Sequence, residues 1–159
     1  MAPEKNFIYN AFKEIPMTIG QKLFEEVGKI TDFKVVKVHP LEGVKTEVSF
    51  TSDIKGIGKY PSGKNLASGT ITKYSHGIID GNWQGTLTNE HGEQFLWWAH
   101  EKSKVLENGK IKGLNLATGF TNSQKLSWMN SLIIVIDLSG SIFSDEFSAV
   151  GYEWTCEVG

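Results

Sequence analysis

Few residues of this chain stand where they can do chemistry. His100 closes the aromatic run Phe95-Leu96-Trp97-Trp98-Ala99-His100 and falls inside a strand-like stretch. An imidazole held in an apolar cavity can pass protons near neutral pH, with its pKa moved by burial. The plainer alternative is a structural histidine with a satisfied hydrogen bond. Glu93 and Glu153 are carboxylates that can assist such a transfer. His39, His76 and His91 stand beside Pro or Gly in turns, without the spacing of a metal pair. Cys156 is alone, which forbids an internal disulfide or a multi-Cys metal site, and it reads as a packing residue. Gly58-Lys59 and Gly63-Lys64 have the start of a phosphate loop, but neither is followed by Ser or Thr and neither opens a helix. No Ser-His-Asp or Cys-His set can be assembled. No metal and no cofactor is expected.

The elements that must position these groups are mostly strands. Near the N-terminus, Thr18 and Gln21 have capping-box spacing, Ile19, Leu23 and Val27 share one helical face, and Gly28 stands at a stop. That pattern predicts a short helix lying on a β-structure. From Phe33 onward the period is two, as in Val44, Thr46, Val48 and Phe50 against Lys45, Glu47, Ser49 and Thr51. Strands are expected near residues 33–38, 44–54, 66–74, 78–88, 93–105, 111–120, 131–138 and 146–156, with a helical turn within 121–130. Asn108-Gly109 is the strongest hairpin signal. Strands in this number, joined by short connections, predict an all-β, antiparallel up-and-down barrel of about eight strands, because closure removes exposed edges. A two-sheet sandwich is the alternative.

Hairpin registers then assign faces. Pairing around Ser75-His76-Gly77 sets Gly69 opposite Trp83 and Ile71 opposite Gly81. A loop over Asn89 to Gly92 sets Trp83 opposite Trp98 and Gly81 opposite His100, and a turn at Asn108-Gly109 sets Trp98 opposite Gly119. Trp83, Leu96, Trp98 and His100 therefore become the expected ligand-binding wall, with small residues beside large rings as a narrow barrel requires. Phe95, Trp97 and Phe120 fall on the outer face as an expected surface for homo-oligomerisation. A one-residue slip in any turn exchanges the faces.

Composition narrows the partners. The chain of 159 residues fits one domain, with residues 1–28 as an extension and 29–158 as the barrel. Lysine and arginine together number 16, every one a lysine, so the planar fork that grips phosphates and carboxylates is missing. With a net charge of −2 and no basic run, nucleic acid is not an expected partner. The longest apolar run, Leu132 to Ile136, is too short to span a bilayer, and Met1 to Asn10 lacks the form of a secretory signal. Membrane association is not expected, and a cytoplasmic location is.

From Gly20 to Trp154 the punctuation resembles that of small uncharacterised prokaryotic calycin-like barrels akin to allene oxide cyclase. The matching features are Val48-Ser49-Phe50 before a Gly-rich loop, Gly92-Glu93 after a hairpin, Thr121 to Leu126 followed by Asn130, and a final Tyr152-Glu153-Trp154. The resemblance implies a barrel and no particular activity. Where that group has Gly-x-Gly pairs in its middle strands, this chain has Ser68-Gly69 and Trp97-Trp98, so a shared pocket would differ in shape. The expected function is non-enzymatic binding of a small hydrophobic ligand inside the barrel. The alternatives are a cyclase or isomerase acting on an apolar substrate, with His100 transferring protons, and a filled barrel serving as an oligomeric interaction protein.

Overall fold

The computed structural model of the protein describes residues 17–156. The expectations for Met1 to Asn10 and for the Cys156 side chain lie outside the described residues. Eight strands run in order: β1 (Met17–His39), β2 (Gly43–Gly56), β3 (Gly63–Lys73), β4 (Ile78–Asn89), β5 (Gln94–Val105), β6 (Lys110–Phe120), β7 (Ile134–Ser141) and β8 (Glu146–Cys156). Each pairs antiparallel with the next, and β8 pairs with β1 to close the barrel. Closure gives every strand a partner on both sides over at least part of its length, which is why alternating sequences of this length are stable without a covering layer. The expected helical turn is present as a 3-10 helix at Ser127–Ser131. Among the described residues no helix is long and apolar enough to cross a membrane.

The N-terminal helix expected over residues 18–28 is not there, since β1 occupies that segment. Of the supposed helical stripe only Leu23 is buried, while Ile19 and Val27 are 63% and 65% exposed. The buried positions are instead those of a strand: Phe24, Glu26 and Gly28 alternate with exposed Glu25, Val27 and Lys29. A carboxylate and a glycine at inward positions hide the two-residue period. Both β2 and β8 present edges that need a partner, and satisfying two ladders outweighs the local helical pattern. Register shifts beside Lys22 put Leu23 and Phe24 both inside.

The β3–β4, β4–β5 and β5–β6 hairpins share one form that settles the faces. Their loops hold three residues and end on a glycine in the left-handed region, with φ of 89° at Gly77, 77° at Gly92 and 77° at Gly109. Asn89 fixes its loop further, because its Oδ1 accepts from the amides of His91 and Glu93 at 3.0 and 2.9 Å. The loop is therefore Glu90 to Gly92, one residue shorter than expected, and the next is Glu107 to Gly109, one residue longer than the Asn-Gly pair alone. Each difference slips the register by one. Trp83 lies opposite Ala99 rather than Trp98, and Gly119 opposite Trp97 rather than Trp98. The pairings Gly69–Trp83 and Ile71–Gly81 stand as expected. The two slips act on β5 from both sides, so β5 alone is turned over relative to the expectation.

Candidate functional site

Turning β5 over rebuilds the interior. Phe95, Trp97, Ala99 and Glu101 point inward from it, while Leu96, Trp98 and His100 point out. The inward rings lie against glycines. A Cβ on Gly69 would stand 2.6 Å from the Trp83 ring, and one on Gly85 would stand 2.5 Å from the Trp97 ring. Gly28 and Gly151 likewise lie under Phe147 and Phe24, on the two sides of the β1–β8 ladder. Large rings thus lie flat over the opposite strand, and a barrel of this width keeps a space at its centre. That space is a cavity of about 170 Å³. Phe50 sits among its aromatic walls, with ring centroids 5.3 Å from Trp83, 6.4 Å from Trp97 and 4.9 Å from Phe147.

One end of the barrel is capped. The β2–β3 loop brings Tyr60 inward, its ring 5.0 Å from that of Phe24 and 6.4 Å from that of Trp128. The 3-10 helix puts Met129, fully buried, into the same layer. Reciprocal bonds pin this segment: the Thr121 amide donates to Asn130 Oδ1 at 2.7 Å, and Asn130 Nδ2 donates to the Thr121 carbonyl at 3.1 Å. From this cap the cavity extends toward the opposite end, where Ile111, Leu138, Ser141 and Ser144 line it.

Two of the carboxylates that line the cavity are buried. Glu26 is 7% exposed, and its Oε1 accepts from Ser52 Oγ at 2.5 Å and from Asn65 Nδ2 at 3.2 Å. Asn65 Oδ1 in turn accepts from Trp97 Nε1 at 3.1 Å, tying β1, β2, β3 and β5 into one chain of bonds. Burial pushes the Glu26 carboxyl above the ordinary carboxylate range, against the opposing pull of the Ser52 and Asn65 bonds. Burial also raises the Tyr60 hydroxyl, with the nearby Glu26 charge adding to it. Glu101 is held at both oxygens, by Trp83 Nε1 at 2.7 Å and by Ser103 Oγ at 2.5 Å. Opposite it on β6, Asn115 carries a buried Oδ1 without a partner. A site of this kind can bury an apolar body, accept hydrogen bonds from it, and move a proton at Glu26.

The residues singled out in the sequence divide between this interior and the surface. Trp83 lines the cavity; Leu96 and Trp98 do not, and Trp98 is 53% exposed. His100 is on the outer face, where Nδ1 lies 2.9 Å from Asn82 Oδ1 and Nε2 lies 3.5 Å from Asp80 Oδ1. Phe95 and Trp97, expected outside, are inside, and Phe120 is outside as expected. Glu93 belongs to the β4–β5 turn, where hydrogen bonds from Ser123 and then Asn89 hold its carboxyl below the ordinary range. Glu153 pairs with Ile134 on β7 and does not line the cavity. Glu26, Tyr60, Asn65 and Glu101 were not anticipated from the sequence. The one available signal was the pair Glu26 and Gly28 at alternate positions between Phe24 and Ile30. Among the described residues no cluster of His, Cys, Asp or Glu is arranged to hold a metal ion.

Fold and interior together define a closed eight-stranded antiparallel barrel with a capped, aromatic-walled cavity. Solved structures share this architecture. A protein of unknown function from Clostridium acetobutylicum ATCC 824 is similar at TM-score 0.73 and 13% identity, over 85% of this chain and 98% of that one. A beta-barrel like protein from Acinetobacter baumannii AYE gives TM-score 0.74 and 12% identity, over 88% and 97%. An enzyme from Penicillium herquei gives 0.59 and 13%, over 86% and 96%. At such identities the likeness is one of fold. No protein-family model and no curated protein matches the chain.

Proposed function

We propose that the barrel interior binds one small, largely apolar molecule. The observation that carries this reading is the cavity of about 170 Å³ walled by Phe50, Trp83, Trp97 and Phe147. An engineered cavity of roughly 150 Å³ elsewhere is known to admit benzene, so a single-ring ligand is the right scale. Apolar walls with a few convergent polar groups are the usual make-up of a small-molecule site. Native mass spectrometry of the purified protein, before and after denaturation, tests it. A released small molecule with apolar character supports the reading, and failure both to retain a compound and to take up toluene on titration contradicts it in favour of a filled barrel.

A second reading is a cyclase or isomerase, in the manner of the allene-oxide-cyclase-like calycins whose punctuation the chain resembles. What favours it is Glu26: a buried carboxyl with a raised pKa, in an apolar cavity and near the Tyr60 hydroxyl, is equipped to give and take a proton. His100, on the outer face, is not placed for this step. A fold shared with an enzyme from Penicillium herquei is compatible with catalysis but does not argue for it. A homo-oligomer surface is a third, separate reading. It is favoured by Leu96, Trp98, Leu116 and Phe120, exposed together on the outer face of β5 and β6, and a solution mass of one chain contradicts it.

A further inference from the structure

We propose that the molecule taken by the cavity is a small apolar amine in its protonated form, with its ammonium group directed at Glu26 and its body among the aromatic rings. This inference rests on the reading of the interior as a ligand site and names the chemical class of the ligand.

Charge and hydrogen-bond complementarity carry it. The ionisable residues that line the cavity are Glu26, Glu101, Glu146 and Tyr60, and among the described residues no lysine or histidine lines it. An anionic ligand such as a carboxylic acid therefore meets acidic groups and no counter-charge. Five interior donors are engaged: the Trp83 and Trp97 indoles, the Ser52 and Ser103 hydroxyls and the Asn65 amide all donate to interior acceptors. Among the described residues the buried side-chain oxygen without a partner is Asn115 Oδ1, an acceptor that lines the cavity and lies across the β5–β6 ladder from Glu101. A ligand that donates a hydrogen bond satisfies it, and one that only accepts does not.

The walls suit the same class. The rings of Trp83, Trp97 and Phe147 gather around that of Phe50, and ring faces attract a desolvated cation. A carboxylate that is more than nine-tenths buried needs a partner to stay ionised, and an ammonium ion supplies one. Where Glu26 is protonated in the empty protein, binding of the ammonium releases that proton to solvent. The bound state is then a carboxylate–ammonium pair with no change in the charge of the ligand.

The test compares three single-ring probes of one size: benzylamine, toluene and benzoate, titrated into the full chain and followed by tryptophan fluorescence and calorimetry. Benzylamine is expected to bind at least about tenfold more tightly than toluene, and benzoate more weakly than either. Glu26→Gln is expected to lower benzylamine affinity at least about tenfold, with circular dichroism reporting that the variant is folded. In the unmodified protein, benzylamine affinity is expected to fall as pH drops through the titration of Glu26, and toluene affinity to stay level. Toluene binding equal to or tighter than benzylamine, or a preference for benzoate, overturns the amine assignment and leaves the cavity reading standing. Absence of binding by all three overturns both.

Discussion

Trp97 lies directly across the β4–β5 ladder from Gly85, so close that a Cβ on Gly85 would stand 2.5 Å from the indole and 2.7 Å from the Leu66 carbonyl oxygen. Backbone on one side and a ring on the other leave nothing free to move. Gly85→Ala is therefore expected to lower stability by about 1–3 kcal/mol through overpacking, read as a lower denaturation midpoint with an unchanged slope. An alanine tolerated at no cost would mean that Trp97 does not face Gly85.

That pair also shows what was legible in the sequence and what was not. Period-two alternation and glycine-bearing turns were enough for an eight-stranded up-and-down barrel, because burial of one face writes itself directly into residue types. The β4 assignments held for the same reason: Trp83 and Leu87 alternate with Asn82, Gln84 and Thr86. In β5 both faces are apolar, Phe95, Trp97 and Ala99 against Leu96, Trp98 and a histidine, so composition could not say which set points in. Only loop length could, and that depended on Gly92 and Gly109 adopting positive φ at the third loop position. In β1 the interior holds Glu26 and Gly28, a charged residue and a supposed helix stop, so the strand's inward period is not visible in residue types there.

Glu26 sets a pH dependence of stability. Burial raises its carboxyl above the ordinary value of 4.5, so the folded protein holds this proton more tightly than the unfolded chain does. The contribution favouring the fold is full below that ordinary value and is lost as pH rises from there through the folded pKa, at about 1.4 kcal/mol for each unit of difference. Glu26→Gln keeps an acceptor for Ser52 and Asn65 but cannot ionise. Its melting temperature relative to the parent protein is expected to climb between pH 4.5 and pH 8, and a constant difference would refute the assignment.

Trp83 contributes more than ring area, because its indole N–H satisfies one oxygen of the buried Glu101. Trp83→Phe leaves that oxygen without its donor, and a loss of about 1–3 kcal/mol is expected from the unpaired group alone. Trp98→Phe, on the exposed face of the neighbouring strand, is expected to fall within about 0.5 kcal/mol of the parent protein in chemical denaturation. Equal costs for the two would contradict the orientation of β5.

His100 is the sharpest case of a residue that reads as functional and is placed otherwise. With its ring on the outer face beside Asn82 and Asp80, His100→Ala is expected to leave ligand affinity within about twofold, corresponding to under about 0.5 kcal/mol. Calorimetric titration of whichever aromatic probe binds would read this directly. A tenfold loss would return His100 to the site.

The central claim is that a small molecule enters this barrel, and the five tryptophans distribute themselves so as to report on it. Trp83 and Trp97 line the cavity with their indole N–H groups engaged inside, whereas Trp98 lies outside. The most direct measurement is a toluene titration followed through the assigned indole N–H resonances by NMR. Saturable shifts of Trp83 and Trp97, with Trp98 unmoved, are the predicted result. Shifts confined to Trp98, or no saturable change in either interior indole, would contradict an internal ligand site.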